Sequence, residues 1–100
     1  MDTEAQVLEV IRDIQLAGGR LGVKDIAEWF SDRFGEDYDR KATPKWIGGI
    51  LRRKLHLKTE RQEGSLVIAP GEGLKIRRLL ERYGLHEPER TDNTGPAESS

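Results

Sequence analysis

Thr43-Pro44-Lys45-Trp46-Ile47-Gly48-Gly49-Ile50-Leu51-Arg52-Arg53-Lys54-Leu55 is the stretch on which the reading of this chain turns. Thr43-Pro44 is a strong helix start: a hydroxyl in the N-cap position, then a proline at the first helical position, where its missing amide costs nothing. On a helical wheel Ile47, Ile50 and Leu51 point one way, with Trp46 and Leu55 at the edges. Lys45, Gly49, Arg52 and Arg53 point the other way, and Gly48 sits on the border. The spacing predicts a short amphipathic helix over about 43–55 with a basic outer face.

Downstream the period changes from helical to two. Leu57-Lys58-Thr59-Glu60-Arg61 and Leu66-Val67-Ile68-Ala69 flank Gln62-Glu63-Gly64-Ser65. A two-residue Glu63-Gly64 turn pairs Arg61 with Leu66 and Thr59 with Ile68. This register puts Leu57, Leu66 and Ile68 on the core face and the strand charges outside. Pro70-Gly71 ends the hairpin, and Ile76, Leu79, Leu80 and Tyr83 form a last helical stripe. Gly84 is its C-terminal stop, with Leu85 able to pack back in a Schellman-type end.

Upstream, Thr3 and Gln6 have the form of a capping box, opening a first helix over about 4–17. Val7, Val10, Ile11 and Ile14 form its stripe, and Gly18-Gly19 its end. Arg20-Leu21-Gly22 is short enough to pair as a strand stub. Val23, Ile26, Ala27, Phe30 and Phe34 make a second stripe, ending at Gly35, with Trp29 beside it as a roof over the core. Glu36 to Ala42 is polar and reads as a loop. The order is helix, stub, helix, helix, hairpin, helix.

With 100 residues the chain has length for one small domain. Of its apolar residues, 34 fall in the first 85 positions, and after Leu85 only Ala97 remains. The expectation is a domain over 1–85 and a disordered tail over 86–100, which lacks the apolar groups to offset ordering entropy. Cysteine is absent, which excludes disulfides, thiol nucleophiles and cysteine-based zinc sites. There is no apolar run of membrane length, and Met1-Asp2-Thr3-Glu4 is unlike a presequence. A cytoplasmic protein without membrane contact is expected.

Net charge is only −1, but its layout is polarised. Residues 1–39 carry ten acids against four bases. Residues 40–61 carry eight bases against one acid, net +7, and residues 62–100 five bases against seven acids. The basic block coincides with the third helix and the hairpin, the pattern of an electrostatic footprint for a polyanion. No Ser/His/Asp arrangement, phosphate loop or metal-ligand spacing occurs. The chain is therefore not expected to be an enzyme, nor to take a cofactor, metal or small-molecule substrate. Glu36, Asp37 and Asp39 do not match a calcium-loop spacing and read as a solvated loop.

Three helices, a glycine-containing hairpin and a further helix make an α+β chain that resembles a winged helix-turn-helix domain over about residues 4–85. The run Thr43 to Arg53, followed by Leu57-Lys58-Thr59, is similar to small winged-helix modules of bacterial, phage or plasmid DNA-handling proteins, including the C-terminal modules of primase–helicases. One departure is the connection over roughly 36–42, longer than a tight helix-turn-helix turn of ~3–4 residues. The resemblance implies a three-helix core, a β-hairpin wing over about 57–69 and a C-terminal helix. It also implies that the third helix contacts duplex DNA, in a transcription regulator or in a DNA replication or mobile-element protein. Carried onto this chain, it makes Lys45, Arg52 and Arg53 candidates for phosphate or base-edge contact. Lys41 and the Thr43-capped amide end are candidates for a phosphate, and Lys58 and Arg61 lie on or near the wing.

Two glycines inside one helix cost about 0.5–1 kcal/mol each relative to alanine. Gly48 reads as a packing position against the second helix or the hairpin, and Gly49 as a place where a partner approaches the backbone. Trp46 and Trp29 read as partly buried core residues rather than stacking platforms, and His56 as a structural helix-end residue. The alternative to DNA binding is a winged helix used for protein–protein contact with a larger parent or partner protein, which the acidic first third favours. Single-stranded nucleic acid binding ranks below both, because it needs exposed aromatic platforms.

Overall fold

Among the described residues, four amphipathic helices and one antiparallel hairpin enclose an apolar core, an α+β arrangement. The computed structural model describes residues 2–38 and 42–85. Lys41 and the expected tail over 86–100 lie outside them. Helix α1 spans Thr3–Leu16, α2 Val23–Phe34, α3 Pro44–Gly49 and α4 Gly73–Arg82, with strands β1 at Thr59–Gln62 and β2 at Ser65–Ile68. Among the described residues no helix is long and apolar enough to cross a membrane.

The stripes become the core. Val7, Val10, Ile11 and Ile14 of α1, Val23, Ile26, Ala27 and Phe30 of α2, Ile47 of α3 and Ile76 and Leu80 of α4 are all buried in one cluster. Removing such side chains from water is the main favourable term in folding, at about 1.5–3 kcal/mol for each large one. Gly18 ends α1 with φ +79°, and Gly84 ends α4 with φ +75°. In each case an amide reaches back five residues, Gly19 to the Ile14 carbonyl at 3.0 Å and Leu85 to the Leu80 carbonyl at 2.7 Å.

The hairpin forms in the expected register, Thr59 opposite Ile68 and Arg61 opposite Leu66. Glu63 and Gly64 both have positive φ, +52° and +81°, as a two-residue turn matched to strand twist requires. The stub also pairs: Gly22 bridges Val67 antiparallel, and the Ile68 amide donates to the Leu21 carbonyl at 2.9 Å. β2 is thus flanked on both sides, and the hairpin is fastened to the entry of α2. Val67, on the face assigned to the strand charges, is buried instead. Val67 shares the lining of an open groove with Gln15, Arg20 and Leu21.

Four local expectations are corrected. No capping box closes α1: Asp2 is the N-cap, without a side-chain cap, and Thr3 and Gln6 serve a distant partner. The Tyr38 hydroxyl donates to Gln6 Oε1 at 2.5 Å and accepts from Thr3 Oγ1 at 3.0 Å, since it has one proton and two lone pairs. Gln6 is buried, so this bond satisfies a group that would be costly to leave unpaired. Tyr38 therefore docks on the core, and its segment is not simply a polar loop. Gly35 is the C-cap of α2, as expected, with φ −58° rather than a left-handed conformation, and one 3₁₀ turn follows through Asp37. Trp29 does not roof the core; it stands 41% exposed on α2.

The fourth correction concerns the third helix, which is not α-helical throughout. After Gly49 the hydrogen bonding widens to a π turn over Ile50–Lys54, with the Leu55 amide donating to the Ile50 carbonyl at 3.0 Å. His56 then adopts φ +56°, and the Leu57 amide closes on the Leu51 carbonyl at 2.8 Å. A left-handed residue usually taken by glycine here turns the chain sharply into the hairpin.

Candidate functional site

The third helix can be described as four rows of residues spaced i, i+4, i+8. Ile47, Leu51 and Leu55 form the inward row and are fully buried. Thr43 caps the helix as expected, accepting from the Trp46 amide at 3.1 Å, with Pro44 in the first turn. The remaining rows are Pro44-Gly48-Arg52, Lys45-Gly49-Arg53 and Trp46-Ile50-Lys54. Lys45, Arg52, Arg53 and Lys54 are all exposed.

Open grooves run on either side of the Lys45-Gly49-Arg53 row. One, of 640 Å³, lies between this helix, the entry of α2 and the hairpin turn, and Gly48, Arg52, Asp25 and Gly64 are among its walls. The other, of 410 Å³, runs between that row and the Trp46-Ile50-Lys54 row. The first contains the Asp25 carboxylate; the second is lined by three cations and no acid.

The ion pairs among the described residues lie elsewhere. Arg33 of α2 bridges Glu9 at 2.8 Å and also Asp13, both on α1, and Arg12 pairs with the same two acids. Arg20 reaches Glu63 at 3.6 Å, tying the stub to the hairpin turn. Among the described residues none of Lys45, Arg52, Arg53 and Arg61 has an ion-pair or side-chain hydrogen-bond partner. The acidic first third is thus partly neutralised within its own helices, while the basic row keeps its charge available.

The two glycines act through the arginines that follow them. A Cβ on Gly48 would meet Arg52 Nη1 at 3.0 Å, and one on Gly49 would meet Arg53 Nη2 at 3.5 Å. Each guanidinium therefore lies back along the helix over the glycine four residues before it. Gly48 is buried, and the atoms nearest to its missing Cβ belong to Arg52. Replacing Gly48 by alanine is expected to raise thermal stability by about 0.5–1 kcal/mol, a few degrees in Tm, through the helix term alone. The added methyl displaces only the flexible end of Arg52, and a calorimetric melt checks this.

Lys58 and Arg61 are exposed at and on β1, on the hairpin side of the molecule. The Lys58 amide donates to Glu72 Oε1 at 2.9 Å, and Lys75 Nζ donates to the His56 carbonyl at 2.9 Å while lying 3.6 Å from Glu72. This clamp fastens the exit of the third helix to the start of α4. The Lys58 amide bond, followed by the Lys75 and Lys58 charges, holds the Glu72 carboxyl below its ordinary range.

Sequence reasoning missed three features. Lys54 completes the acid-free groove, and the i, i+4 spacing from Ile50 was its signal. Trp46 stands 38% exposed along that groove, edge-on to Phe30 and Tyr38, and so belongs both to the core rim and to the surface. Arg77, Arg78 and Arg82 make α4 a second exposed cationic face, with Leu74 59% exposed beside them. Summing α4 with the acidic residues after 85 concealed it. Among the described residues no group of His, Asp and Glu is arranged to hold a metal ion. No protein family, curated protein or solved structure matches this chain.

Proposed function

We propose that this chain is a DNA-binding winged helix-turn-helix domain, in a transcription regulator or a replication or mobile-element protein of the cytoplasm. The third helix enters the major groove of duplex DNA, and the β1–β2 hairpin is the wing. The element order and the pairing of the Gly22 stub with β2 support the fold reading. The observation that carries the function is the exposed Lys45-Gly49-Arg53 row with Arg52, none of its cations held by a carboxylate among the described residues. A major groove ~12 Å wide admits a helix, and unpaired guanidinium groups match both phosphates and the acceptor edge of guanine. Lys58 and Arg61 place further positive charge on the wing side.

One module with this few cations is expected to bind non-specific duplex weakly, with Kd of about 10⁻⁴–10⁻⁶ M. Tight binding then requires a dimer or a larger parent protein. The test is an amide chemical-shift titration with a short duplex, a single strand and a non-nucleic polyanion. Shifts confined to residues 43–64 with duplex are the expected result. Silence there, with shifts on α1 or α2 when a partner protein is added, would assign the fold to protein–protein contact instead.

A further inference from the structure

The groove between the Lys45-Gly49-Arg53 and Trp46-Ile50-Lys54 rows differs in chemistry from the rest of the basic surface. One wall is apolar and aromatic, Trp46 with Ile50. Both walls carry cations, Lys45 and Arg53 on one and Lys54 on the other, and no acid lines it. Gly49 lines its middle, with the Arg53 guanidinium lying back over it. Uninterrupted duplex presents phosphates and stacked base edges to such a surface, and it leaves an indole with nothing to stack on. An unpaired nucleotide supplies all the matching parts at once: a planar base for the aromatic wall and a phosphate on either side for the cations.

We infer that this groove is a site for an unpaired nucleobase, Trp46 stacking on the base while Lys45, Arg53 and Lys54 hold the flanking phosphates. The preferred ligand is then a duplex with a single-stranded extension or a displaced base. This deepens the DNA-binding reading and rests on it. Among the described residues the exposed large apolar side chain on α4 is Leu74, not an aromatic ring, so that face fits phosphates alone. The groove beside the hairpin turn includes Asp25, which repels a phosphate in the same place.

The chain has two tryptophans, so Trp29→Phe leaves Trp46 as the sole indole reporter. The full chain carrying that substitution is titrated with a blunt duplex, with the same duplex bearing a short run of unpaired thymidines, and with that extension made abasic. The expected result is quenching of Trp46 emission by the thymidine extension alone. Affinity should rise about 5- to 150-fold over blunt duplex, the range that stacking of one base provides. The abasic extension should lose that gain, and so should Trp46→Leu, checked for folding by circular dichroism, relative to that variant's own blunt-duplex affinity. Equal affinity for all three ligands without quenching overturns the base site and leaves the DNA-binding reading standing. Failure to bind any of the three overturns both.

Discussion

Replacing Arg52 and Arg53 together by alanine is expected to weaken duplex binding at least about 30-fold, each lost arginine contact costing on the order of 1–3 kcal/mol. The salt dependence should change with it. Two phosphate contacts fewer flatten the slope of log K against log[salt] by about 1.8. Thermal stability should stay within about 0.5 kcal/mol of the parent chain, because both side chains are exposed and carry no ion pair among the described residues. Titrations by fluorescence anisotropy at several salt concentrations measure affinity and slope in the same experiment. Unchanged affinity would remove the third helix from the interface. A loss of affinity with an unchanged slope would mean that the arginines contribute contacts to neutral groups rather than to phosphates. Gly48→Ala offers an internal control, since it moves Arg52 without removing its charge. Its affinity should lie between those of the parent and the double variant even though its stability rises.

Phe30→Ala is expected to be the most damaging single change to the fold, at about 3–5 kcal/mol. Against a total of about 5–15 kcal/mol for a domain, that is a large share. The ring is 1% exposed and is the centre of an aromatic group: Phe34 lies at 5.3 Å, and Tyr38 and Trp46 each at 5.5 Å between ring centroids. Tilted and edge-on pairs of this kind add about 0.5–1.5 kcal/mol each beyond burial. Phe30 therefore joins α2, the segment at Tyr38 and the third helix, and its loss leaves a void where three elements meet. Calorimetry should show a fall in Tm of at least about 12 °C, from roughly 4 °C per kcal/mol in a domain of this size. DNA affinity should fall as well, because the third helix loses the contact that fixes its orientation on α2. A loss below about 1 kcal/mol, less than an ordinary core truncation, would show that this ring does not set the junction.

Local pattern alone determined much of this protein. The apolar stripes of all four helices, the Thr43-Pro44 start, the glycine ends at Gly18 and Gly84 and the hairpin register at Glu63-Gly64 were all legible. Each depends on residues a few positions apart, where helix period, cap chemistry and turn geometry act directly. The basic outer face of the third helix was legible for the same reason.

What failed in the sequence reading involved partners far along the chain. Thr3 and Gln6 have the spacing of a cap, yet Tyr38, more than thirty positions away, takes both side chains once α1 and the segment after α2 are packed together. Val67 has the alternation of an exposed strand position yet is buried, on a strand whose second neighbour is the Gly22 stub. The π turn at Ile50–Lys54, the folding of Arg52 and Arg53 over their glycines and the exposure of Trp46 beside Lys54 also arise only in three dimensions. A sequence states which groups a residue brings and at what local period. Which buried polar group finds its partner, and which aromatic is left with one side uncovered, is decided by packing distant segments together with their polar groups satisfied.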